Sequence, residues 1–183
     1  MTWAAIVLAA GLSTRMGQCK TTLPWQGQTL LTYQLAQWQA AQVQPIVVLG
    51  PHNAHRQVDC GGRAVINPDP SRGKASSVLT GLAQLPREVT GTFISAIDQP
   101  RPATLYQQLI TAHQQHRPDI TAPCHAGKLG HPLLFDGRLL PQLLEISDET
   151  LGIRAVVQQV KQGDRLYQVP SSEIVLMDLN TPE

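Results

Sequence analysis

Short uninterrupted apolar runs alternate along this chain with segments whose apolar residues recur every three or four positions. Ala4-Ala5-Ile6-Val7-Leu8-Ala9 is short and continuous, the pattern of a strand buried on both faces. Residues 29–43 then carry Leu31, Leu35, Trp38 and Ala41 at helical spacing. Pro45 opens Ile46-Val47-Val48-Leu49, and Gly50-Pro51 closes it with a turn. Ala64-Val65-Ile66 is a third run, residues 76–85 read as a helix, and Thr92-Phe93-Ile94-Ser95-Ala96-Ile97 is a fourth strand ending at Asp98. Residues 104–116 are again helical, with Thr104 placed to cap the first turn. This alternation predicts a parallel sheet wrapped by helices through right-handed crossovers.

The second half is less regular. Gly130-His131-Pro132 leads into Leu133-Leu134-Phe135, expected as an antiparallel edge strand. Residues 139–146 and 153–160 are helical candidates, whereas 166–169 and 174–177 read as late strands. Neither repeats nor linkers interrupt the pattern, and 183 residues suit a single domain over 1–183. At the end, Thr181-Pro182-Glu183 has the chemistry of a helix start with no helix following.

Composition narrows the picture. No apolar run approaches the ~18 residues of a membrane span, so no membrane role is expected. A net charge of +1 argues against a nucleic-acid coat, whose affinity depends on surplus Lys and Arg. Residues 3–12 lack the charged flank of a signal peptide, and three separated cysteines give no disulfide framework. A cytoplasmic protein is expected. Only 15% of residues are charged, so charges gathered in a loop are informative.

Such a gathering follows the first strand. Ligands of open parallel sheets sit beyond the carboxyl ends of the strands. There Leu8-Ala9-Ala10-Gly11 lets backbone approach a ligand closely, with N–H groups able to hold phosphate oxygens. Arg15 adds a planar fork and Lys20 a mobile point charge. A Walker loop is excluded, because Gln18 and Cys19 separate Gly17 from Lys20. A dinucleotide fingerprint is excluded too, because Ser13 stands where its second glycine belongs.

The run Leu8-Ala9-Ala10-Gly11-x-Ser13-x-Arg15-Met16-Gly17-x-x-Lys20, with Leu23-Pro24-Trp25 after it, resembles the opening of the nucleotidyltransferases of molybdenum cofactor maturation. The cytidylyltransferases among them are the nearest in pattern. Similarity continues at Asn67-Pro68, Gly73-x-Ala75-Ser76-Ser77, Asp98-Gln99-Pro100, Gly130-His131-Pro132 and Asp178-Leu179-Asn180, in the expected order. The resemblance implies a Rossmann-like three-layer α/β fold, with a mainly parallel sheet flanked by helices. It implies transfer of CMP from CTP to the phosphate of molybdopterin or molybdenum cofactor, with a molybdoenzyme or its chaperone as recipient. Arg15 and Lys20 would face the triphosphate, Asn67, Ser76 and Ser77 the nucleoside, and His131 the acceptor. Lys74 departs from the pattern, standing where Met is usual.

Asp98 ends a strand at the same sheet edge as the loop, and hard Mg²⁺ needs few protein oxygens beside phosphates and water. Asn180 is the second metal ligand that the resemblance implies. Turn formation before Gln99-Pro100 is the structural alternative for Asp98, and capping is the alternative for Asn180. His52, His55 and Cys60, or Cys124 and His125, lack the paired spacing of a zinc site. No general base is demanded, because a phosphate acceptor is already an anionic nucleophile. Two other readings fit the same residues: the same transfer with GTP or onto a sugar or alcohol phosphate, and a non-catalytic module that delivers a cofactor.

Overall fold

A computed structural model describes residues 1–11, 19–61 and 63–179 of the chain. Residues 12–18, and with them Arg15, lie outside the described residues, as do Asn180 and residues 181–183.

Strand β1 (Trp3–Leu8) is buried along its whole length. A short hairpin, β2 (Pro24–Trp25) and β3 (Gln28–Thr29), leads into helix α1 (Leu30–Ala40). Thr29 caps this helix, its Oγ1 accepting from Thr32 N at 3.2 Å, a bond worth about 1 kcal/mol. Next come β4 (Gln44–Leu49), β5 (Arg63–Ile66), α2 (Lys74–Leu82), β6 (Gly91–Ala96) and α3 (Ala103–His116). The later elements are β7 (Ile120–His125), β8 (Lys128–Leu129), β9 (Leu133–Asp136), α4 (Leu140–Leu144), α5 (Ile153–Gln162) and β10 (Leu166–Pro170).

The main sheet runs in the order β10-β7-β9-β6-β1-β4-β5, with β8 paired to β7. β1 is parallel to both β4 and β6, and β10 is parallel to β7. Residues of β1 alternate between two cores. Ala5 and Val7 pack with Leu31, Leu35 and Trp38 of α1 and with Tyr106 and Leu109 of α3. Ile6 and Leu8 face Val78 and Leu82 of α2, Leu143 of α4, and Val156 and Val160 of α5. The result is the three-layer α/β arrangement expected from the alternating pattern.

Several local expectations change. Thr104 does not cap α3: Pro102 holds that position and Ala103 is already helical. Proline's fixed φ suits a helix start without any hydroxyl. β9 is antiparallel as expected, yet it lies inside the sheet, bonded to β6 on one side and β7 on the other. β7 was not anticipated, because Pro123, Cys124 and His125 break its apolar run. Residues 174–177 form no strand; Glu173–Leu176 is a short 3-10 turn. The carbonyls of Val175 and Met177 accept instead from Arg101 Nη2, at 3.1 and 2.7 Å.

Candidate active site

Two strand ends and one reversed strand create the site. β1 and β6 finish side by side, Ile97 N donating to Leu8 O at 3.0 Å beyond the last paired residues. β9 runs the other way and pairs Leu133 with Ile94, so the Gly130-His131-Pro132 loop before it reaches the same edge. Buried amides brace both strand ends. Asn53 Nδ2 donates to Ala9 O at 2.9 Å, and Gln34 Nε2 donates to Ile97 O at 2.7 Å. Sequence reasoning missed both, because a buried amide carries no signature in spacing.

Lys20 Nζ lies 2.6 Å from Asp98 Oδ2. Both line a cleft of about 350 Å³ together with Leu8, Ala9, Ala10 and Gly11, and with Ser77 from α2. Asn67 and Ser76 stand behind that wall. Asn67 Nδ2 donates to Ser76 Oγ and Ser77 Oγ, both at 2.9 Å, so its amide ties the β5 end to the start of α2. Ser76 Oγ in turn donates to Gly73 O at 2.8 Å. Neither residue is among those lining the cleft, so they shape the pocket from beneath.

A second cavity, about 560 Å³, adjoins the first and holds His131 and Arg154 with an apolar wall that includes Leu129, Leu133 and Val157. Burial lowers the His131 pKa from its ordinary value, and the nearby positive charge of Lys74 lowers it further, against Asp178 and Asp98. The imidazole is therefore neutral at pH 7 and can offer one N–H donor.

Arg101 holds this side together and was not singled out from the sequence. Its side chain is fully buried, with Nε donating to His131 O at 3.2 Å and Nη1 to Pro100 O at 2.9 Å. Burial lowers its pKa from the ordinary value. With the bonds to Val175 and Met177 it clamps the loop of His131 and the segment 173–179 onto the end of β6. That segment closes on Asp98: Leu179 N donates to Asp98 O at 2.9 Å, and Gln99 Nε2 donates to Asp178 Oδ1 at 2.9 Å. Gly130 permits the close fit, since a Cβ there would lie 2.5 Å from Val175 O.

Asp98 offers a hard oxygen donor in the cleft lining, a donor type that suits a divalent cation drawing its other ligands from phosphates and water. Among the described residues no group of three or more His, Cys, Asp or Glu gathers as a metal cluster. No described helix is long and apolar enough to cross a membrane.

A lysine, a carboxylate and two joined cavities lie at one edge of a mainly parallel sheet, where α/β enzymes of this layout take their ligands. Residues 5–165 match the MobA-like NTP transferase domain, and the chain belongs to that family. It is 28% identical to the molybdenum cofactor guanylyltransferase of Xanthomonas euvesicatoria, over 99% of this chain and 91% of that protein. It is 30% identical to the molybdenum cofactor cytidylyltransferase of Escherichia coli, over 97% of this chain and 91% of that one. The crystal structure of Rv0371c from Mycobacterium tuberculosis superposes with a TM-score of 0.82 at 25% identity, covering 99% of this chain and 94% of that chain. A manganese complex of Rv0371c gives 0.77 at 24% identity, covering 98% and 93%.

Proposed function

We propose that this protein transfers CMP from CTP to the terminal phosphate of a molybdopterin-type cofactor and releases pyrophosphate. The observation that carries the reading is the pair of adjoining cavities, one with the Lys20–Asp98 pair and the other with His131. An acceptor phosphate oxygen in the larger cavity attacks the α-phosphorus at the mouth of the smaller. A new P–O bond forms, the bond to the β-phosphate oxygen breaks, and pyrophosphate leaves with the electron pair. No proton has to be removed from the nucleophile, so positioning and charge neutralisation carry the rate.

Lys20 and Arg15 hold the triphosphate, Ser77 borders the nucleoside, and neutral His131 donates to the acceptor. Asp98 and Asn180 would hold Mg²⁺, which supplies neutralisation of phosphate charge when bound. The manganese complex of Rv0371c supports a divalent ion in this fold. CTP is favoured over GTP because Ala10, buried in the cleft lining, narrows the floor beneath the base.

The test is mass spectrometry of products after incubation with each NTP, Mg²⁺ and a reduced pterin-dithiolene phosphate. A cytidylylated product supports the reading. A guanylylated one moves the chain to GTP, and transfer only onto sugar or alcohol phosphates overturns the acceptor.

A further inference from the structure

We propose that Lys74 is a catalytic residue, the cation that stands between nucleophile and electrophile while two anions are brought together. This rests on the transfer reaction proposed above. The two cavities share three lining residues, Leu8, Lys74 and Ala96, and Lys74 alone of these carries charge. An acceptor in one cavity and an α-phosphate in the other must meet where the cavities meet. At that place a phosphate monoester and a triphosphate repel each other, and the repulsion grows as the oxygen closes on phosphorus.

The surroundings make Lys74 suited to this task in a way that Lys20 is not. Lys20 is already answered by Asp98 at 2.6 Å. Among the described residues no carboxylate is within ion-pairing distance of the Lys74 ammonium. Its backbone is nevertheless fixed. Gly73 before it has φ +103, a conformation that other residues rarely adopt, and Ala75 N after it donates to Asp148 Oδ2 at 2.9 Å. An anchored backbone with a charge that no described carboxylate answers is the arrangement that stabilises charge developing between two substrates. The same position explains why the charge of Lys74 is felt at His131, on the acceptor side.

During transfer the acceptor oxygen gains its bond to the α-phosphorus as the bridging oxygen takes the electron pair of the breaking bond. The Lys74 ammonium keeps its proton throughout and contacts a non-bridging oxygen of each partner. Its contribution is greatest when the partners are closest, so its loss lowers turnover more than nucleotide affinity.

The experiment compares wild type, Lys74→Met and Lys74→Arg. Pyrophosphate release is measured with saturating NTP, Mg²⁺ and a reduced pterin-dithiolene phosphate, and NTP binding is measured separately by calorimetry. Lys74→Met is expected to lower kcat by at least about 10-fold with NTP affinity changed by less than about threefold, and Lys74→Arg to restore most of the rate. Thermal melts of both variants should match wild type, since this side chain is exposed. A Lys74→Met enzyme with full kcat overturns the proposal, as does a loss confined to NTP affinity. A wild-type protein that forms no product with any NTP overturns the reaction itself, and the proposal with it.

Discussion

The ammonium of Lys20 and the carboxylate of Asp98 lie 2.6 Å apart although 78 positions separate them in the chain. Each side chain keeps limited solvent contact, 16% and 19% exposed, so the pair is neither buried nor freely hydrated. The proposed transfer uses these two charges for opposite purposes, and here each answers the other. A triphosphate with its cation offers both a new partner of the right sign. In the proposed reaction the exchange replaces one ion pair by two contacts, so neither Lys20 nor Asp98 gives up one partner before it has another.

Separating the two charges should be visible in metal binding without nucleotide. Lys20→Ala removes the cation that competes for the Asp98 carboxylate, so Mn²⁺ affinity followed by electron paramagnetic resonance should rise severalfold while turnover falls. Asp98→Asn should abolish both metal binding and turnover with the fold intact by circular dichroism. Full activity in Asp98→Asn would reduce this residue to a turn former.

Arg101 makes four hydrogen bonds to carbonyl oxygens from a fully buried position. Arg101→Met takes this donor from the Pro100, His131 and Met177 carbonyls, while Val175 O keeps its bond from His131 N, and should cost about 3 kcal/mol of stability. The clamp on residues 173–179 loosens, so limited proteolysis should cut there first. Unchanged melting and an unchanged digestion pattern would deny the clamp.

Acid should weaken the fold first through its buried histidines. His113 is buried, with Nδ1 2.8 Å from Thr121 Oγ1 and Nε2 3.3 Å from Asp136 Oδ2. Burial lowers its pKa from the ordinary 6.5, outweighing the pull of Asp136. His131 is lowered for the same leading reason. The folded state thus binds these protons less readily than the unfolded one. Their stabilisation is full above about 6.5 and declines as pH falls from there towards the folded values. Urea melts should show lower stability at pH 5.5 than at pH 7.5, and His113→Gln should flatten that slope. Asp136 acts later: burial raises its pKa, but hydrogen bonds from Arg138 bring it below the ordinary 3.8, so its share is lost only in stronger acid. A wild-type profile flat from pH 7.5 to 5.5 would contradict the scheme.

Base choice should respond to one methyl group. Ala10→Gly widens the cleft floor and should move the CTP to GTP ratio of kcat/KM towards GTP. A difference of ~1–3 kcal/mol is the most that shape alone can give. A wild-type ratio at or below unity would overturn the choice of CTP, and no shift in Ala10→Gly would place the discrimination elsewhere in the pocket.

The parts legible in the sequence were those set by periodicity and strand ends. β1, α1, β4 and β6 were each found within a few residues, because continuous apolar runs and helical spacing leave little choice of partner. Lys20 and Asp98 were placed at one edge for the same reason, both following strands of one parallel sheet. Pairing partners were less legible. Leu133-Leu134-Phe135 reads alike at an edge or in the middle, and its two neighbours are set by long-range contacts. Arg101, Asn53 and Gln34 were invisible, since a buried polar side chain is defined by the carbonyls that surround it and these come from distant segments.

β9 runs against its neighbours and forms a seam. On one side lie β6, β1, β4 and β5, whose ends carry the cleft of Lys20 and Asp98; on the other lie β7, β8 and β10 with the His131 loop. The smaller cavity draws its lining from residues 8–98 alone, whereas the larger one adds residues 129–158 to a wall of β1, α2 and β6. Under the proposed reaction, that asymmetry lets selection remodel residues 129–158 for a new acceptor with little change to the smaller cavity.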